Sequence, residues 1–152
     1  MAERTLGQHI DHIAKAMKDI DFVMLGTHTK GGEIGHRPMS NNREVDYDGD
    51  SYYFTWEDCL MVEDIKRNSK IGLSLQGRHE KGGAPGIFIS VEGHAKIIRD
   101  RAQFEQHWSD DLNRWFKDGV ETDGMVLIHV EATRAAYWDG EDEADFDIPR
   151  TL

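Results

Sequence analysis

DFVMLGTHTKGGEIGHRPMSNN, residues 21–42, is the stretch on which the fold turns. An apolar run from Phe22 to Leu25 closes on Gly26 and Thr27, Lys30-Gly31-Gly32-Glu33 supplies a turn, and a second extended run covers residues 34–41. This reads as a β-hairpin. Downstream the same grammar repeats: a third strand is expected over residues 43–47, then Asp48-Gly49-Asp50, a dipeptide turn that tolerates positive φ, then a returning strand over 51–56. Further strands are expected at 70–76, where Ile71, Leu73 and Leu75 alternate with small or polar residues, and at 87–98, bent by a bulge at Gly93. Residues 77–86 form a polar, Gly-rich loop, and residues 125–138, with Val126, Ile128 and Val130 on one side, close the series. Strands joined in this way must bury their apolar faces against one another. The pattern therefore predicts an α+β, mainly β fold: an antiparallel, closed or nearly closed barrel with peripheral helices.

The helices are fewer. Leu6, Ile10, Ile13, Ala14 and Met17 recur at helical spacing within residues 1–19. Residues 59–66 carry Cys59, Val62 and Ile65 along one stripe, with Asp58 as the expected N-cap. Residues 101–117 place Phe104, Trp108, Leu112 and Trp115 at intervals that suit one or two short helices.

A chain of 152 residues is long enough for one core, and it lacks repeats and Pro/Gly/Ser-rich linkers, so one domain over residues 1–152 is expected. The formal charge of −11 opposes a phosphate backbone and argues against nucleic acid. Much of that charge lies in residues 139–147, and 139–152 reads as a solvated, mobile acidic tail. Cys59 is the single cysteine, which excludes an intrachain disulfide and a cysteine-based zinc site. With charged residues where a signal peptide needs apolar ones and no run that could span a bilayer, a cytoplasmic protein without membrane partners is expected.

Among eight histidines, His9 and His12 share a helix face but have no third ligand nearby, so no metal site is expected. His36, His94 and His129 sit inside expected strands, where a hydrogen-bonded structural role is the ordinary one. GxGxxG and the phosphate-loop motif are absent. Two clusters stand out. Residues 35–42 set an arginine beside Pro38, which cannot donate to a ladder and so marks an edge or bulged strand. Residues 52–58 bring hydroxyl and aromatic groups to a strand end that feeds a helix, a setting suited to an aromatic ligand with an anionic tail.

The order GHRPMSNN (35–42), DGDSYYFTWEDCLMVEDIKRNSKIGLSL (48–75), FISVEGHAKIIRD (88–100), HWSDDLNRWFKDG (107–119) and RAAYWDG (134–140) resembles the pyridoxamine 5′-phosphate oxidase-like family, in its general stress protein branch. The resemblance implies an FMN-binding split β-barrel that works as a homodimer, with FMN at the interface. It implies that Arg37 approaches the flavin phosphate and that Pro38, Met39 and Ser40 line the isoalloxazine. Phe54, Thr55 and Trp56 are then expected at the ring and ribityl chain, and Trp108, Trp115 and Phe116 as aromatics that complete the pocket. His36 and Met61 are further candidates for cofactor contact. Many relatives carry a cation near the start of the short helix, where this chain has Cys59-Leu60-Met61, so Arg37 and the helix N-terminus would carry the phosphate, helped by Lys66 or Arg67. The implied activity is that of a flavin-dependent oxidoreductase of unknown substrate. The alternative is a cofactor-free dimeric stress or ligand-binding protein that keeps the barrel.

Overall fold

The computed structural model describes residues 3–41, 43 and 46–150. Seven strands form one antiparallel sheet: β1 (Phe22–His28), β2 (Ile34–Ser40), β3 (Asp50–Trp56), β4 (Lys70–Gln76), β5 (Phe88–Ile98), β6 (Met125–Asp139) and β7 (Asp142–Asp147). The order β2-β1-β4-β5-β6-β3 curls the sheet into a barrel split between its end strands β2 and β3. β6 is long enough to pair with β3 through its first half and with β7 through its second.

Period-2 alternation explains which way each strand faces. Ile71, Leu73 and Leu75 of β4 and Ile89 and Val91 of β5 point inward and are buried, while Ser74 and Glu92 point out. The ladder between β5 and β6 shifts register at Glu92/Gly93, the expected bulge. Only glycine fits there, because an added Cβ would run into the Glu131 carbonyl. Gly49, ahead of β3, adopts φ 109°, as the Asp-Gly turn requires.

Helix α1 (Leu6–Met17) starts on a capping box between Thr5 and Gln8 and buries Ile13 and Met17. Its His9 and His12 both pack against the buried Tyr137 of β6. Helix α3 (Arg101–His107) is followed by 3-10 turns at Asp110–Arg114 and Gly119–Glu121. No helix among the described residues is long and apolar enough to cross a membrane.

Three expectations need correction. Helix α2 (Leu60–Arg67) begins one residue later than expected and is not capped by Asp58. The Cys59 N–H donates to the Trp56 carbonyl in a turn, and Cys59, still extended, occupies the N-cap position without a side-chain bond. The acidic stretch expected to be a mobile tail forms β7. Ala144 and Phe146 face the barrel and Ile148 is buried, while Arg134 of β6 bonds Asp147 at 2.8 Å and also pairs with Asp145. The strand expected over 43–47 falls partly outside the described residues; Asp46 and Tyr47, at its end, are not in a strand.

Candidate functional site

Because β2 and β3 each pair on one side only, two unpaired strand edges border the split. A cavity of about 340 Å³ lies there, within the range of small-molecule sites. One wall is the end of the β1–β2 hairpin: Phe22, and residues 38–41 opposite it in register. The other is β3, residues 52–56. The segment after α3 forms the third, through His107, Leu112, Trp115 and Phe116.

This third wall stands on its own small core. Phe54 meets Phe104 edge-on at 5.7 Å and Trp108 at 5.1 Å, and Phe116 lies 4.9 Å from the Trp56 ring. Phe54, Phe104, Phe116, Met125 and Leu127 are buried together. Trp115, by contrast, is 54% exposed at the cavity mouth. At the inner end, Tyr52 is sandwiched between His107, with centroids 3.5 Å apart, and His129 at 4.5 Å. Burial, and then the charge of His129, hold His107 below the usual histidine range. Burial pushes the Tyr53 phenol up to about 12. These groups therefore line the cavity in neutral form near pH 7.

Of the expected site residues, the structure brings together Pro38, Met39, Ser40, Phe54, Thr55, Trp56, Trp115 and Phe116. Trp108 stands behind this lining, packed on Phe54. Three others lie elsewhere. His36 is outward on β2, its ring laid over Gly26 on the outside of the sheet. Met61 is 4% exposed in the main core, because the stripe of α2 that contains Val62 and Ile65 turns it inward.

Arg37 is the most informative of the three. Its Nη1 donates to Thr27 Oγ1 at 2.7 Å and to the Leu25 carbonyl at 3.1 Å, and its Nη2 reaches Asp64 Oδ2 at 3.4 Å. Asp64, on α2, has a side chain only 6% exposed and is met from the other side by Arg67 at 3.1 Å. A buried carboxylate without partners is strongly destabilising, so Arg37 serves as its counter-charge. Sequence reasoning missed Phe22, Asn41, Tyr52, Tyr53, His107 and Leu112 as lining residues. Asn41 lies in the cluster at residues 35–42, and Tyr52 and Tyr53 in that at 52–58; Phe22, His107 and Leu112 are brought to the cavity by pairing and chain reversal, which local patterns do not record.

The model of the family described as "Pyridoxamine 5′-phosphate oxidase like" matches residues 8–147. The chain belongs to this family. Protein bli-3 of Neurospora crassa is 26% identical over 144 residues, which is 89% of this chain. General stress protein 26 of Bacillus subtilis is 27% identical over 96 residues, 62% of this chain. Each match spans 66% of the length of the curated relative. Among solved structures, a Clostridium acetobutylicum protein related to general stress protein 26 superposes with a TM-score of 0.75 at 21% identity, covering 91% of this chain and 94% of its own. The general stress FMN/FAD binding protein of Xanthomonas citri does so with a TM-score of 0.69 at 24% identity, covering 93% and 96%. At these identities the structural likeness shows the family's split-barrel fold and leaves the ligand to be argued from the cavity.

Proposed function

We propose that this pyridoxamine 5′-phosphate oxidase-like chain binds a flavin in the cavity between β2 and β3 and serves as a flavin-dependent oxidoreductase. The observation that carries this reading is the juxtaposition of residues 38–40 with residues 54–56, two segments distant in sequence that form facing walls of one cavity. Aromatic walls of this kind suit a planar ring, and the unpaired edges of β2 and β3 offer backbone donors and acceptors to its polar rim. When bound, a flavin supplies the redox chemistry. The chain orients the ring, shields it from water with Phe54, Phe116 and Trp56, and exposes one flank at Trp115. FMN is the flavin of the family resemblance, and its ring suits these walls; among the described residues no Lys or Arg lines them to meet its phosphate. The alternative of a cofactor-free binding protein rests on that same lack.

The working unit of this proposal is a homodimer. Phe22, Met24, Ile34, Phe88 and Trp138 are all exposed and lie on the sheet's outer face, where the register row Pro38, Met24, Ser74, Ser90, Ala136 is flat and small. Such an apolar face next to the cavity suits a second copy. Sedimentation should give twice 17.4 kDa. A persistent monomer at high concentration counts against it. Purified protein that is yellow, or that quenches added flavin fluorescence, supports flavin binding. A colourless preparation that quenches neither FMN nor riboflavin defeats it.

A further inference from the structure

We infer that the cavity takes a flavin whose tail is uncharged, of the riboflavin class, and does not favour the phosphate-bearing FMN. The inference rests on the proposed flavin site and concerns which flavin enters it. FMN brings a phosphate that is close to a dianion at neutral pH, and burying or positioning it takes positively charged donors. Among the described residues the cavity lining contains none: apart from the neutral phenols its titratable side chains there are His107, held in its uncharged form, and Asp111, an acid at the rim.

Among the described residues, most of the cations around this part of the barrel are engaged by carboxylates. Arg37 and Arg67 both pair with Asp64, at 3.4 and 3.1 Å. Lys66 stands 3.4 Å from Glu63 and 3.9 Å from Glu57, and Arg99 bonds the same Glu57 at 2.7 Å. Arg43 pairs with Asp21 at 3.1 Å. Where α2 begins, Leu60 is 80% exposed and Glu57 and Asp58 precede it, so the N-terminal end of that helix is flanked by acids. Arg114 and Lys117 flank Trp115 and Phe116 but are exposed and outside the lining, where solvent and salt screen them. The net charge of −11 adds a long-range field of the wrong sign for a dianion. A planar ring with a neutral hydroxylated tail meets none of these obstacles.

The test titrates the full-length protein with riboflavin and with FMN, at low salt and at high salt, following flavin fluorescence and calorimetric heat. FMN should bind no tighter than riboflavin at either salt, and roughly threefold or more weaker at low salt. The gap should close as the Debye length shrinks from about 30 Å to 3 Å. Asp111→Lys, at the rim of the cavity, should raise the ratio of FMN affinity to riboflavin affinity by about fivefold at low salt, whatever it does to both flavins in common, and that gain should shrink at high salt. FMN binding tighter than riboflavin, or Asp111→Lys tightening both alike, overturns the inference while leaving the flavin site intact. If neither flavin binds, the flavin site itself falls, and the inference with it.

Discussion

Arg37 and Pro38 are neighbours in the chain and belong to different parts of the molecule. Pro38, outward on β2, lines an open, largely aromatic cavity that holds no Lys or Arg among the described residues. Arg37, turned the other way, enters a closed knot of charge with Thr27, Asp64 and Arg67 that ties β1 and β2 to α2. The family motif places the two residues side by side as if they served one ligand. What sets Arg37 apart is its partners: Met39 shares its side of β2 and still lines the cavity, whereas Thr27, the Leu25 carbonyl and Asp64 hold the Arg37 guanidinium in the work of tying the barrel together.

The sharpest way to break that division is Arg37→Ala. Removing one partner leaves the buried Asp64 with the Thr27 hydroxyl, which donates to its Oδ2 at 2.8 Å, and the half-exposed Arg67 as its one remaining counter-charge, and leaves Thr27 Oγ1 and the Leu25 carbonyl without their Arg37 donor. The expected cost is about 3 kcal/mol of stability, or roughly 6–12 °C in Tm for a chain of this size. Riboflavin affinity of the folded fraction should stay within about twofold, since the side chain lies outside the cavity lining. Urea denaturation read beside a flavin titration separates the two. A stable Arg37→Ala protein that has lost FMN alone would return the residue to the ligand site. Adding Asp64→Leu should recover most of the loss, because the orphaned charge goes with it.

The fold was readable where patterns are local and strong: the amphipathic α1, the alternating β4, the bulged β5 and the Asp-Gly turn all announce themselves in a few residues. β7 was not, because Asp142, Glu143, Asp145 and Asp147 dominate its composition. The inward set of Ala144, Phe146 and Ile148 was nevertheless there in alternation, and the run becomes a strand only because Arg134 and the free side of β6 await it. The site divided similarly. Residues 38–40 and 54–56 carried a signal that pointed to a ligand, whereas Phe22 reaches the cavity through β-pairing and His107, inside a matching motif but with no role read for it, through its place at the end of α3. The motif could not show that Arg37 had a carboxylate partner, since Asp64 lies 27 residues away on another element.

The tryptophans around the cavity extend the same contrast on a smaller scale. Trp108 is packed between Phe54 and Phe116, so Trp108→Ala should cost about 2 kcal/mol of stability through lost packing, less than a fully buried aromatic. Trp115, more than half exposed at the mouth, should behave oppositely: Trp115→Ala should leave stability within about 0.5 kcal/mol and weaken riboflavin roughly fivefold to tenfold. Thermal melts and flavin titrations of both variants decide the assignment. Equal effects of the two on binding would erase the boundary between the small core and the cavity wall.

The smallest expected effect lies at the inner end of the cavity, where His107 faces Tyr52 from α3 and His129 faces it from β6. His129 bonds Asp50 at 3.1 Å, with Glu131 at 4.0 Å, and Arg150 meets the same Asp50 at 3.0 Å, so these are the charges that bear on the stack. Burial first, then the charge of His129, depress the folded His107 below the value of about 6.5 it has when unfolded. Below that pH the unfolded chain binds the His107 proton more readily than the folded one does. This contribution to stability is therefore complete above about pH 6.5 and is lost as pH falls through the lower folded value. His107→Gln should flatten the decline of stability between about pH 6.5 and 5. His129→Gln, which removes the second cause of the shift and brings the folded His107 back toward its unfolded value, should make that contribution to the decline shallower without abolishing it. If His107→Gln leaves the pH profile of denaturation unchanged, the cavity's inner wall does not titrate at His107, and its neutrality near pH 7 must come from the stack around Tyr52 as a whole.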